Sequence, residues 1–165
     1  MRLSQSKTTP VAFPSTGFAE KRIDVITNNR ALYSKQDFKK DEVIVDFFWK
    51  SVHAKPSYLT VQVSDHEHIE LLPEYLECVN HSCDPNCFFD TANKQFIAIK
   101  PIKTGDELTF FYPSSEWDMG QAFRCGCGSK NCLGVIQGAK YLPKNAIKQY
   151  RFTDFIKQKL SSSGI

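Results

Sequence analysis

The sequence predicts one mainly β domain that carries a cysteine-rich element and ends in a helix. Over most of the 165 residues, short runs of β-branched and aromatic residues alternate with turn signals. A cluster of cysteines and glycines follows these runs, and a basic stretch with apolar residues at helical spacing follows the cysteines. A chain of this length fits a single domain with a sizeable hydrophobic core.

Residues 1–18 mix Ser, Thr, Pro and Gly and predict an irregular arm. Beyond it, runs with high β propensity predict strands at IDVI (23–26), ALYS (31–34), EVIVDFFW (42–49), YLTVQV (58–63), HIELL (68–72), FIAIK (96–100) and ELTFFY (107–112). LPEYLE (72–77) predicts a short helix between the fifth and sixth of these runs. The pattern is that of a protein built from small sheets.

Three thiols fall within eight residues, at Cys125, Cys127 and Cys132. Intervening glycines allow the positive φ values that a tight metal-binding turn needs. A structural zinc site takes four ligands, so a fourth must come from elsewhere in the chain. The spacing leaves open Cys78, Cys83, Cys87 and the four histidines. Two alternatives are unrelated buried thiols and an open catalytic zinc site, although the cluster contains no general base for the latter.

The stretch PKNAIKQYRFTDFIKQKL (143–160) predicts one C-terminal helix. Pro143 suits a first helical turn, and the lysines near the end suit the negative pole of the helix dipole. Apolar residues recur along it at roughly helical spacing.

The composition and charge of the chain limit the kinds of molecule that it is expected to bind. The net charge of +3, without a dense basic block, argues against a nucleic-acid partner, and no apolar run predicts a membrane span. The N-terminus lacks the apolar segment of a secretory signal, so we expect an intracellular protein, cytoplasmic or nuclear, whose cysteines are thiols or metal ligands. Residues 65–77 hold five acids and no Lys or Arg. This acidic segment is either a solvated face or an attraction for a basic substrate.

Two strings carry a family resemblance: Asn80-His81-Ser82-Cys83-Asp84-Pro85-Asn86 and Gly105-Asp106-Glu107-Leu108-Thr109-Phe110-Phe111-Tyr112. They resemble the signature motifs of SET-domain protein-lysine methyltransferases, the cysteine cluster is similar to their post-SET element, and ALYSKQDFKKDEVIVDF (31–47) resembles their first block. The resemblance implies a mainly β SET-domain fold of small sheets with a threaded C-terminal segment, a post-SET zinc knuckle and a C-terminal helix. It divides the chain into an arm (1–21), the SET domain (22–113), the post-SET element (114–136) and a helical extension (137–165).

The resemblance also implies a set of site residues. The catalytic residue would be Tyr112, and Phe110 would join it in the substrate channel, where Phe favours di- or trimethylation. Residues expected to bind S-adenosylmethionine are Arg30, Ala31, Leu32, Asn80, His81, Phe123 and Leu133. A structural Zn²⁺ would be held by Cys83, Cys125, Cys127 and Cys132, which leaves Cys78 and Cys87 in the core. The expected partner is a lysine of a protein or peptide, with a small amine as the alternative, and neither nucleic acid nor membrane.

The sequence departs from the family pattern at four places. The Gly-x-Gly that normally opens the donor site is replaced by Asn29-Arg30-Ala31, and the turn at Lys40-Asp41-Glu42 lacks its usual glycine. Phe111 stands where many members have Asp, and the region between Trp49 and Cys78 is short. Three hypotheses follow: a protein-lysine methyltransferase, a methyltransferase of the same fold acting on a small amine or peptide, and a non-catalytic binding module.

Overall fold

A computed structural model describes residues 8–10 and 17–164. Its strands are β1 (Thr8–Pro10), β2 (Ala19–Asp24), β3 (Arg30–Ser34), β4 (Val43–Asp46), β5 (Phe48–His53), β6 (Thr60–Ser64), β7 (Glu67–Leu72), β8 (Asn80–His81), β9 (Cys87–Asp90), β10 (Gln95–Ala98), β11 (Thr109–Phe110), β12 (Phe123–Arg124) and β13 (Val135–Ile136). The mainly β class is confirmed. The rest of the predicted irregular arm lies outside the described residues, but Thr8–Pro10 pairs antiparallel with β2, so the arm is not wholly irregular.

Strands β1, β2 and β3 form one antiparallel sheet. The predicted strand 23–26 is wrong beyond Asp24, because the Asp24 carboxylate accepts the backbone N–H groups of Ile26 and Thr27, both at 2.8 Å, and closes a turn. Asn28 takes a left-handed φ of 58° in that turn. Asp41 also takes a left-handed φ, of 67°, in the turn at residues 40–42 that lacks the family's usual glycine. At both positions an Asn or Asp takes the backbone conformation that most often needs glycine.

The second sheet has the strand order β4-β10-β9-β11-β8. Strand β11 lies between β8 and β9, parallel to both, although residues 82–86 join those two strands directly. The chain around Thr109 therefore runs inside the loop that connects β8 to β9, which is the threaded arrangement. The Asn86 side chain holds it there by donating to Glu107 O (2.8 Å) and accepting from Thr109 N–H (2.9 Å).

The third sheet has the order β5-β7-β6. The predicted strand 42–49 is in fact two strands in different sheets, broken at the fully buried Phe47, whose N–H donates to Lys94 O at 2.8 Å. A short 3-10 helix, Glu74–Cys78, follows β7 where a short helix was predicted. This helix leads directly into β8 and so positions the first signature string.

After residue 111 the chain forms a 3-10 turn (Tyr112–Ser114), the β12–β13 hairpin and a second 3-10 turn (Ala139–Tyr141). Two helices follow, α1 (Lys144–Ile147) and α2 (Asp154–Ser162). The prediction of one helix over 143–160 is therefore wrong: Thr153 begins α2 by accepting the N–H of Ile156, and its own N–H donates to Ser114 O (2.9 Å). None of the helices in the described part of the chain has the length and hydrophobicity that crossing a membrane requires.

The buried apolar residues form two cores. The larger core joins the sheets and includes Phe47, Phe89 and Phe96. The smaller core packs the C-terminal extension against the end of β11, through residues such as Phe111 and Ile156. Burying one large aromatic or aliphatic side chain of this kind contributes about 1.5–3 kcal/mol. This second core therefore attaches the extension firmly to the domain.

Candidate active site and metal centre

Four thiols meet at the junction of the second sheet and the cysteine cluster: Cys83, Cys125, Cys127 and Cys132. Their sulfur atoms all lie within 4.8 Å of one another, and Cys83 Sγ is 3.9 Å from Cys125 Sγ. Tetrahedral zinc with Zn–S bonds of about 2.3 Å requires sulfur atoms about 3.8 Å apart. The four thiols therefore fit a closed zinc site. All six cysteines are free of disulfides, and Cys78 and Cys87 are buried away from this cluster.

The thiol cluster is held by the backbone around it. Gly128 takes a φ of 71°, as the tight turn requires, and Gly134 takes 78°. Cys83 reaches the cluster from the loop after β8, and the N–H of Leu133 donates to its sulfur at 3.4 Å. Such N–H···S bonds stabilise a thiolate, the form that binds metal. The residues present thus suit Zn²⁺ in both donor type and spacing.

His81 lies between this cluster and Tyr112. Its Nε2 is 3.3 Å from Cys83 Sγ, while its Nδ1 accepts the backbone N–H of Tyr112 at 3.2 Å. Burial lowers the pKa of His81 to about 4, so the ring is neutral. Since Nδ1 accepts, we assign the ring proton to Nε2, where it points at the Cys83 sulfur. One side chain therefore contacts both the metal ligand and the residue expected to be catalytic.

Tyr112 stands in an aromatic cluster at the wall of a cavity of about 460 Å³. Its ring centroid lies 4.7 Å from Phe110, 5.2 Å from His81 and 6.0 Å from Phe123. Its hydroxyl donates to the carbonyl of Val79 at 3.3 Å. Burial, and secondarily the charge of Glu107, raise the pKa of Tyr112 to about 12, so the phenol keeps its proton at neutral pH. The hydroxyl can orient an amine by hydrogen bonding but is a poor proton acceptor.

Asn80 connects the first signature string to the loop that replaces Gly-x-Gly. Its amide donates to Arg30 O and to Glu107 Oε1, both at 2.9 Å. The loop before β3 is therefore held in place by a side chain of β8 despite lacking glycine. This bond also places the backbone of Arg30 beside Asn80, the residue that precedes His81 in β8.

The threaded loop, Cys83 and Tyr112 lie within the segment that a family model matches, and the other three thiols follow that segment. The model of the SET domain matches residues 29–113, about half of the chain. The chain belongs to the SET-domain family. The position of the match agrees with the two signature strings and the strands that carry them.

Several proteins similar to this SET domain are named as methyltransferases. Methyltransferase flvH of Aspergillus flavus is 42% identical over 109 residues, which are 65% of this chain and 61% of that protein. Histone-lysine N-methyltransferase SETD2 of Homo sapiens is 41% identical over 66 residues, 36% of this chain and 2% of that protein. The Set2 enzyme of Drosophila melanogaster matches to the same extent over 3% of its length. The chain therefore spans under two thirds of the first of these relatives and a small part of the others.

A solved structure supports the fold. KRYPTONITE, crystallised with mCHH DNA, an H3(1-15) peptide and SAH, superposes with a TM-score of 0.51 over 72% of this chain and 29% of that one. The sequence identity is 18%, so the likeness concerns the fold alone. It agrees with the arrangement of small sheets in this SET domain.

The structure brings most of the predicted site residues of this SET domain into two neighbouring groups. His81, Phe110, Tyr112 and Phe123 form the aromatic cluster, and the N–H of Leu133 donates to Cys83 of the four-thiol cluster. Arg30 and Asn80 are hydrogen-bonded to each other, with Ala31 next in β3. Leu32 is different: the whole residue is buried in the core, and its carbonyl accepts the N–H of Leu108 at 2.7 Å. Its role as a donor contact remains a prediction.

Sequence reasoning missed two acidic residues of the cavity, Glu77 and Glu116. Glu77 counted only as one of five acids in the acidic segment. Glu116 followed the second signature string without a recognisable motif. Only the fold brings Glu116 to Gln62, whose backbone N–H donates to its Oε1 at 2.8 Å across 54 residues of sequence.

The structure also explains Phe111, the departure from the family pattern. Its ring stacks on Tyr150 with centroids 3.7 Å apart and planes 8° from parallel. The Tyr150 hydroxyl then donates to the carbonyl of Cys83 at 2.9 Å. An Asp at position 111 would have no such partner, so Phe111 belongs to the packing of the C-terminal extension.

Proposed function

We propose that this chain is an S-adenosylmethionine-dependent N-methyltransferase whose acceptor is a lysine side chain of a protein. The observation that supports it best is the aromatic cluster around Tyr112 at the wall of the cavity. The SET-domain fold and the methyltransferase relatives support the same reaction class. Bound S-adenosylmethionine would supply an electrophilic methyl group on a sulfonium.

The residues around the cavity suit the acceptor half of this reaction. An amine must be neutral to attack, and its ordinary pKa is about 10.4. The apolar walls contributed by Phe89 and Phe110, both buried, disfavour the ammonium form and lower the amine's pKa. The Tyr112 hydroxyl, neutral by its raised pKa, can then align the amine nitrogen. Phe110 offers no hydroxyl to hold a water, so we propose that the site leaves room for a second and a third methyl group.

We propose the donor site on the other side of Tyr112, at Arg30, Ala31, Leu32, Asn80, His81, Phe123 and Leu133. Asn80 joins the two chain segments of this set. Zn²⁺ held by the four thiols would have a structural role: it would attach the hairpin that carries Phe123 and Leu133 to the loop that carries His81. The domain division at residues 22, 114 and 137 is part of the same proposal.

A small amine or peptide is the second candidate acceptor. The cavity of about 460 Å³ falls in the size range of small-molecule sites. Radiolabelled methyl transfer to a cell lysate separates the two candidates. Label in the protein fraction supports the lysine proposal, and label confined to the small-molecule fraction supports the second. No label in either fraction, with donor bound, would contradict both.

A further inference from the structure

Two carboxyl groups line the cavity that contains Tyr112, and the chemistry described so far uses neither. The Glu116 side chain is only 9% exposed. Its Oε1 accepts one backbone N–H, from Gln62, and within the described residues no hydrogen bond reaches Oε2. The nearest basic group is Nδ1 of the buried His68, 4.0 Å away. A buried carboxyl that is half satisfied and borders a cavity is poised to bind a group that enters it.

Glu77 is the second acid of the cavity wall. Its side chain is 10% exposed, and its buried Oε1 has no hydrogen-bond partner, although Lys50 Nζ lies 3.6 Å away. Lys50 is shared with Glu74 at 3.0 Å and Glu70 at 3.5 Å. One ammonium therefore faces three carboxyl groups, so Lys50 does not pair with Glu77 alone, and burial raises the pKa of Glu77.

The other acids of the acidic segment do not border the cavity. Asp65 pairs with Lys159 at 2.7 Å, and Glu67 accepts from the Ser64 hydroxyl at 2.9 Å. These residues behave as a solvated, locally paired face. Within the described residues, Glu77 is the only acid of this segment that lines the cavity, and it lines the same cavity as Glu116.

The two carboxylates do not suit the amine that reacts. An anion beside that amine would stabilise its ammonium form and oppose attack. They suit instead a cation elsewhere on the same substrate, which stays charged throughout the reaction. Burial raises the pKa of Glu116 to about 8, so its ionised form is costly without a cation to face it.

We propose that Glu77 and Glu116 bind a second, non-reacting cationic group of the substrate, so that the site prefers an amine whose chain carries another positive charge. This inference rests on the proposed N-methyltransferase function and specifies its substrate class. The second charge has two possible sources, a free diamine or a basic residue beside the target lysine of a peptide. Both present the same chemistry to the acidic wall.

The test compares substrates that differ only in the second charge. Alkyl diamines of four to six carbons are compared with monoamines of equal length, and lysine peptides with a neighbouring arginine with peptides that carry alanine there. Wild type, Glu116→Gln, Glu77→Gln and the control Glu74→Gln are assayed for methyl transfer. Binding of the same compounds is measured by calorimetry with S-adenosylhomocysteine present. Glu74 is a matched control because it shares Lys50 with Glu77 but is 66% exposed and lies outside the cavity.

In wild type we expect a preference of about tenfold or more for the dication in at least one series, which identifies its source. Either cavity variant should reduce that ratio by about tenfold, and Glu74→Gln should retain it. The inference is overturned if neither series shows a preference, or if both cavity variants keep it. Calorimetry decides the inference even without turnover: failure of methyl transfer to every compound contradicts the proposed function, while the binding ratios still test the acidic wall.

Discussion

Tyr112 shows how the surroundings of one residue define its role. Its hydroxyl is buried, donates to Val79 O, and has a pKa raised to about 12 by burial and by Glu107. A phenolate is therefore absent at neutral pH, and the hydroxyl acts by orientation. The reaction must then begin from an amine that has lost its proton in the apolar cavity.

Replacing Tyr112 by Phe removes only this hydroxyl and keeps the ring that packs on Phe110. We expect methyl transfer to fall by about 100-fold, because the amine loses its alignment. The melting temperature should change little, since the hydroxyl makes a single long hydrogen bond of 3.3 Å. Full activity in the Tyr112→Phe protein would contradict the assigned chemistry.

The burial of Glu116 predicts that the stability of the folded protein depends on pH. The carboxyl of an ordinary Glu has a pKa of 4.5, whereas burial raises the pKa of Glu116 in the folded protein to about 8. Between these pH values the folded state binds more protons than the unfolded state. The contribution of Glu116 to the free energy of unfolding is therefore fully present below about pH 4.5 and is lost as the pH rises to about 8. The neighbouring His68 acts in the opposite sense, because burial lowers its pKa and costs stability as pH falls below 6.5.

The Glu116→Gln variant removes the titration of Glu116 and keeps that of His68. We expect the variant to match wild type near pH 5 and to exceed it at pH 8.5 by roughly 3 kcal/mol, from the linkage between pKa and stability. Chemical unfolding of both proteins at several pH values measures the difference, with Glu74→Gln as the exposed control. Unfolding curves that stay parallel from pH 5 to 8.5 would show that Glu116 is ionised at no cost.

At the scale of elements, the break between α1 and α2 is the clearest departure from the sequence pattern. Helical periodicity is present throughout residues 143–160, but Tyr150 leaves the helix to stack on Phe111 and to bond Cys83 O. Thr153 then starts a new helix. Tertiary contacts with partners 39 and 67 residues away outweigh local propensity, and no local pattern encodes them.

The candidate site shows the same contrast between local sequence patterns and contacts between distant segments. Asn80, His81 and Cys83 stand in one short string, and Tyr112 ends another, so their motifs were recognisable from sequence. The fourth metal ligand could be named from the resemblance but not from spacing, because 42 residues separate Cys83 from Cys125. Glu116 could not be found at all, since its place depends on Gln62 in another sheet. Continuous motifs are readable from sequence, and contacts between distant segments require the fold.

Gly138 controls how the post-SET hairpin meets the segment of Glu116. Its φ is 120°, and a Cβ there would lie 2.5 Å from Trp117 O. Gly138→Ala must push that carbonyl away and strain its own backbone, so we expect a loss of about 2–3 kcal/mol in unfolding free energy. Gly17→Ala is the control, because nothing lies within 4 Å of its added Cβ and its φ is unremarkable. Equal stability of the two variants would contradict this close approach.

At the scale of the whole molecule, the four-thiol cluster brings together two parts of the chain. Cys83 belongs to the loop around β11, and the other three thiols belong to the segment after Phe123. Zinc would thus hold the residues proposed to contact the donor, while the larger core of Phe47, Phe89 and Phe96 does not touch it. Order at the donor site and stability of the β core are separable.

Removal of zinc by a strong chelator should act first on the donor site. We expect affinity for S-adenosylmethionine to fall by about tenfold or more while the β core still melts cooperatively. Calorimetry and circular dichroism on the same samples measure the two effects, and added Zn²⁺ should restore binding. Loss of both properties at the same chelator concentration would contradict a metal that serves the donor site locally.

We propose that this SET domain binds a methyl donor next to Tyr112 despite the loss of Gly-x-Gly. Calorimetric titration of the zinc-loaded chain with S-adenosylmethionine measures this binding. We expect saturable binding at one site per chain, weakened in Asn80→Ala, because Asn80 holds the Arg30 loop. Absence of binding at millimolar S-adenosylmethionine would rule out the proposed donor site.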